Sequence, residues 1–236
     1  MIAEKTALEY LNDAREHAKC GDFVGAFLRY IRAGCFFRES SDLVNSLDCY
    51  NKAMEVANEH LNKKEYMALV YSGFASYYRG VGNNNKFVEN LSQSAKMHID
   101  AAEENIAKWQ DAGGKSTSLI ETAISEYSWA SFCSFFLGDK ELAKNLALKS
   151  LDLVQTKRIR IWRRELAKTC GAILSGKLEE AQAHWVKFQE KLSNDYLGET
   201  EYFEYLRIVE NCFSIAKSQK KMKSTQNFNS NLLYYL

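Results

Sequence analysis

Apolar residues recur along this chain at helical spacing, and short polar corners interrupt them at nearly even intervals. Leu8, Leu11, Ala14 and Ala18 form one run, and Phe23, Ala26, Phe27, Tyr30 and Ala33 form the next. Steps of three and four residues place each set on one face of an α-helix. Gly21-Asp22 stands between them, and similar corners fall at Ser40-Ser41-Asp42, Leu61-Asn62, Gly82 to Asn85, Gly113-Gly114, Gly138-Asp139, Gln155-Thr156, Gly176 and Asn194 to Gly198. Asp22, Asp42 and Asp139 each sit just before an apolar run, where a carboxylate can accept from the free amides of a helix N-terminus. The pattern predicts about nine or ten helices.

The layout is written several times. Tyr10 and Ala14 precede Gly21-Asp22, with Ala26, Tyr30 and Ala33 beyond it; Ser46, Tyr50 and Ala53 follow Ser41-Asp42. Tyr71, Ala75 and Tyr78 lead to Gly82-Asn83, and Tyr127, Ser131 and Phe135 lead to Gly138-Asp139, after which come Ala143, Leu146 and Ala147. Ala167 and Gly171 precede Gly176, with Ala181 and Trp185 beyond. Small residues suit places where helix backbones approach, and aromatic residues fill the gaps between. Repeated helix pairs cannot bury their apolar faces singly and must stack. The expected fold is all-α: a right-handed superhelical stack, or solenoid, of antiparallel helix hairpins. Its repeat domain spans residues 1–216, and Lys86 to Ala112 is its longest uninterrupted helical pattern. Residues 217–236 read as a basic, then apolar, C-terminal tail whose final Leu232 to Leu236 could dock on the stack or on a partner.

Composition supports a packed helical protein. Apolar residues make up 46% of the 236, and proline is absent, as suits a chain that is helical almost throughout. Thirty-one Lys and Arg nearly balance thirty Asp and Glu, so no global field draws the chain onto nucleic acid. Cys20, Cys35, Cys49, Cys133, Cys170 and Cys212 are scattered and form no C-x-x-C pair, which reads as buried thiols of a reducing compartment. The N-terminal stretch reads as amphipathic helix rather than as a leader. No run approaches the ~18 apolar residues of a spanning helix. A cytoplasmic protein without a transmembrane segment is expected, with peripheral membrane association left open.

Tyr30-Ile31-Arg32-Ala33-Gly34-Cys35-Phe36-Phe37 and Ser46 to Ala57 resemble tetratricopeptide-like repeats, and especially the SNAP family of soluble attachment proteins for the NSF ATPase. A helix pair here occupies about 40 residues, longer than the ~34 of an ordinary tetratricopeptide repeat. The resemblance implies a non-enzymatic adaptor that lies along a SNARE-like helical bundle and recruits an AAA ATPase for disassembly of the complex in membrane traffic. It also implies an acidic, leucine-bearing C-terminus, whereas this chain carries Lys217, Lys220, Lys221 and Lys223 there. The alternative is a tetratricopeptide-type regulatory or signalling module that takes an extended peptide in a concave groove.

The densest local charge is Lys157, Arg158, Arg160, Arg163, Arg164 and Lys168, interleaved with Ile159, Ile161 and Trp162. On a helix, Arg160, Arg163, Arg164 and Lys168 make one basic stripe, read either as a solvated outer face or as a contact for an acidic helical partner. Ala112 to Thr117 ends like a phosphate-binding loop, but Trp109 stands where the first glycine belongs and no strand precedes it, so it reads as a turn. His17, His60, His98 and His184 lie in no metal-ligand spacing, and neither cofactor nor metal is expected. No nucleophile elbow or triad pattern occurs, so no catalytic residue is assigned.

Overall fold

The computed structural model describes residues 2–155, 159–192 and 203–232, with side chains over 7–155, 159–192 and 206–220. The described residues form ten α-helices and no strand: α1 (Ile2–Lys19), α2 (Phe23–Glu39), α3 (Leu43–Val56), α4 (Lys64–Gly80), α5 (Asn84–Asp111), α6 (Thr117–Phe136), α7 (Lys140–Val154), α8 (Ile161–Leu174), α9 (Leu178–Leu192) and α10 (Phe203–Leu232). A π-helical turn, Ala57–Leu61, extends α3. Every predicted corner that is described in full separates two helices; Thr156 of the Gln155-Thr156 corner and all of Asn194 to Gly198 lie outside the described residues.

Four of the corners share one chemistry. Gly21 turns left-handed, its N–H donates to Ala18 O at 3.1 Å, and the Asp22 N–H donates to His17 O at 2.9 Å. These crossed bonds satisfy the last carbonyls of α1. The Asp22 carboxylate then accepts from Gly25 N at 2.9 Å and caps α2. The same device recurs at Ser41-Asp42, Gly82-Asn83 and Gly138-Asp139, with caps to Asn45 N at 3.1 Å, Lys86 N at 3.1 Å and Leu142 N at 3.0 Å. One residue pair thus stops a helix and starts the next without proline.

Sequential helices pack on one another, and α2 also meets α4, while α6 also meets α8. The main apolar cluster runs from Ala7 in α1 to Ala216 in α10. In α1 the buried face is Ala7, Leu11 and Ala14; Leu8, expected on that face, is 53% exposed, because the seven-residue step from 7 to 14 closes two turns and leaves position 8 a third of a turn away. Tyr50 of α3 is fully buried between α2 and α4, where Gly34 and Gly73 leave room for its ring. Small residues and aromatics do meet across helices here.

Helix α6 is enclosed, with Ile120 to Phe135 buried on all sides except Thr122. A helix surrounded by neighbours buries its polar residues too, and these must find partners. Ser128 Oγ donates to Ile124 O at 2.8 Å and meets Ser150 Oγ of α7 at 2.9 Å, while Ser131 Oγ donates to Ala143 O at 2.6 Å.

The longest helix is α10, 30 residues against 28 in α5. It crosses α4, α6, α8 and α9, burying Ile208, Val209, Cys212 and Phe213. It continues past residue 217, through the segment read as a tail, to Leu232. The docking of the apolar end, Leu232 to Leu236, lies outside the described side chains.

Candidate protein-contact surface

The basic stripe divides when its partners are traced. Arg160 stands just before α8 with extended backbone, its N–H donating to Glu121 Oε1 at 2.8 Å and its Nε lying 3.2 Å from Glu121 Oε2. Arg163 turns inward, donating from Nη1 to the Glu121 carbonyl and to Ser125 Oγ at 3.0 Å, with its guanidinium over the Trp162 ring at 4.4 Å. Glu121 is only 5% exposed, so Arg160 neutralises a carboxylate buried in α6, while Arg163 satisfies the main-chain carbonyl of the same residue. Arg164 Nη2 reaches Ile159 O at 3.5 Å, and Lys168 Nζ lies 3.7 Å from Glu165 Oε1. Lys157 and Arg158 lie outside the described residues.

Lys168 opens onto a cleft of about 530 Å³ between α7, α8 and α9, where Lys144 and Lys177 join it beside Leu148 and Leu151. Lys177 pairs with Glu180 at 3.4 Å, whereas Lys144 has no carboxylate partner among the described residues. Leu148 is 49% exposed. The cleft therefore presents an apolar patch with cationic edges, a combination suited to an amphipathic acidic surface.

Two imidazole–carboxylate pairs lie deeper. His98 Nδ1 of α5 meets Glu126 Oε2 of α6 at 2.6 Å, their side chains 1% and 8% exposed. His184 Nδ1 of α9 meets Glu165 Oε2 of α8, also at 2.6 Å. Each ties one helix to the next. Burial pushes the half-buried Glu65 carboxyl above the ordinary range, and the nearby Glu126 adds to the rise. Sequence reading passed over Glu121, Glu126 and Glu165; the available signal was an acidic residue inside an otherwise buried-type run.

Cys20 is exposed and the other five cysteines are buried. Burial pushes Cys49, Cys133 and Cys170 up to about 12 and Cys212 well above its usual value. A thiol so raised is a poor nucleophile and a poor metal ligand at neutral pH. No group of three His, Cys, Asp or Glu side chains converges as metal ligands among the described residues. Gly113 and Gly114 form a left-handed turn between α5 and α6, so the glycine-lysine-serine sequence there joins two helices.

Among the described residues, no helix is long and apolar enough to cross a membrane. Compared with protein-family models, with curated proteins and with solved structures, the chain matches none.

Proposed function

We propose that this chain is a non-enzymatic protein-binding adaptor whose helix hairpins form a right-handed superhelical stack. The observation that carries this reading is the α7–α8–α9 cleft, where exposed Leu148 lies beside Lys144, Lys168 and Lys177. An apolar strip with cationic edges favours one face of an acidic amphipathic helix, and repeated helix hairpins provide a rigid platform for it. In the SNAP-like form of the reading, the partner is a SNARE-like helical bundle and the adaptor recruits an AAA ATPase. Arg164 and Lys168 are then the stripe residues that contribute, since Arg160 and Arg163 are engaged with α6. Helix α10 already covers part of α4, α6 and α8, so a partner lying along those helices would have to displace it. That favours an outer cleft over the extended-peptide groove of the alternative reading.

Affinity capture from the native cell, with wild type and Lys144→Glu/Lys168→Glu side by side, tests the proposal. Recovery of an AAA ATPase with membrane coiled-coil proteins by the wild type, and its loss in the variant at unchanged helicity, is the expected result. Equal recovery by both removes the cleft from the contact, and recovery of neither class of protein overturns the SNAP-like form.

A further inference from the structure

On another part of the molecule, α2, α4, α5, α6 and α10 surround a cleft of about 570 Å³. Three arginines from three different helices line it: Arg38, Arg79 and Arg207. Phe87, Leu91 and Phe136 supply apolar lining. A chain with net charge +1 has no general positive field, so this is a local concentration of cations that the fold assembles.

The three arginines are held differently. Arg38 Nη2 lies 3.1 Å from Cys35 Sγ, and Arg207 pairs with Glu39. Arg79 is exposed, lies over the Phe136 ring at 4.9 Å and has no carboxylate partner among the described residues. Stacking on the aromatic face fixes the plane of the guanidinium while leaving its donor edge available. Glu210 is the one acidic side chain among the lining residues, so the cleft carries an excess of positive charge.

We infer that this cleft binds an acidic peptide segment of a protein partner, with an Asp or Glu carboxylate on Arg79 and an adjacent Leu or Phe against Phe87 and Phe136. The proposal rests on the adaptor reading above and names a second contact on the same molecule. Charge complementarity selects the acidic group, and the apolar lining selects its neighbour. The volume accommodates side chains rather than a lone inorganic ion. Arg207 and Asn211 of α10 form one wall, so the site exists only when α10 is seated.

Selection from a random-peptide phage library on the immobilised full chain, counter-selected on Arg79→Glu, tests this directly. Enriched peptides should pair Asp or Glu with Leu or Phe. They should bind Arg79→Glu at least about tenfold more weakly in fluorescence anisotropy, as loss of one charge-assisted contact requires. Arg79→Gln should be weakened in the same direction, and Lys96→Glu, at an exposed position of α5 away from both clefts, should bind as wild type does. Thermal melts of the Arg79 variants, altered only at an exposed side chain, verify folding. Failure to enrich, enrichment of neutral or basic peptides, displacement by inorganic phosphate alone, or affinity indifferent to Arg79 overturns the inference. Peptide selection that succeeds while native capture recovers nothing removes the adaptor reading and leaves the cleft; the reverse outcome removes the cleft and leaves the adaptor.

Discussion

Gly73 leaves the space that Tyr50 fills: a Cβ on residue 73 would stand 2.5 Å from Tyr50 Cε1 and 2.7 Å from Cδ1. Tyr50 is fully buried and cannot withdraw without disturbing α2, where Gly34 faces the same ring. Gly73→Ala should therefore destabilise the protein by about 1–2 kcal/mol, overpacking outweighing the gain in helix propensity. Gly80→Ala, in the same helix with nothing near its Cβ, should be neutral or stabilising by about half a kcal/mol. Denaturant melts of the two variants check the contrast, and equal effects would remove the proposed clamp.

Ser72 and Ser94 meet at 2.8 Å, and Ser94 also donates to Ala68 O. Ser128, Ser150 and Ile124 O reproduce the same triad, with the same separations of 22 and 26 residues between partners. The α4–α5 and α6–α7 hairpins are thus copies in their polar contacts as well as in their corners. Ser150→Ala should cost about 1 kcal/mol. In a double-mutant cycle, Ser128→Ala and Ser150→Ala should be non-additive by at least about 0.5 kcal/mol. Strict additivity in urea melts would show that the two hydroxyls act independently.

Glu65 gives stability a pH dependence opposite to that of a salt-bridged carboxylate. Its folded-state pKa is raised by burial, with Glu126 adding to the rise, so the folded state holds the proton more tightly than the unfolded chain. Its contribution to stability is greatest below the ordinary Glu range, near pH 4.3, and is lost as pH rises through the elevated folded value. Glu65→Gln should melt close to wild type at pH 4 and above it at pH 7. A difference in melting temperature that is constant across this range, or that shrinks as pH rises, contradicts the assignment.

The thiols should separate into two classes. One of the six cysteines, Cys20, is exposed, and it should react promptly with a disulfide reagent in the native protein. Cys49, Cys133 and Cys170, raised to about 12, hold a thiolate fraction on the order of one in ten thousand at pH 8, and burial blocks access as well. One fast equivalent under native conditions and six in denaturant is the expected titration. Several fast equivalents in the native state would mean that the helices holding the buried thiols, α2, α3, α6, α8 and α10, open readily.

Local chemistry explains which features were legible in the sequence. A left-handed residue followed by Asp or Asn specifies a helix stop and a cap within a few bonds, and the corners at Gly21, Ser41, Gly82 and Gly138 fall where they were read. The all-helical class and the number of helices follow from these corners and from the apolar spacing between them. The stripe from Lys157 to Lys168 was legible only as charge. Whether Arg163 faces solvent or α6 depends on Glu121 and Ser125, about 40 residues away in sequence, and no periodicity within α8 encodes that distance. The same holds for His98 with Glu126, for the cleft that gathers Arg38, Arg79 and Arg207, and for α10, whose weak apolar pattern gains its partners only once α4, α6, α8 and α9 are in place. Helix boundaries are set by neighbours in the chain. The partners of buried charges and the placement of cations are set by helices that meet only on packing.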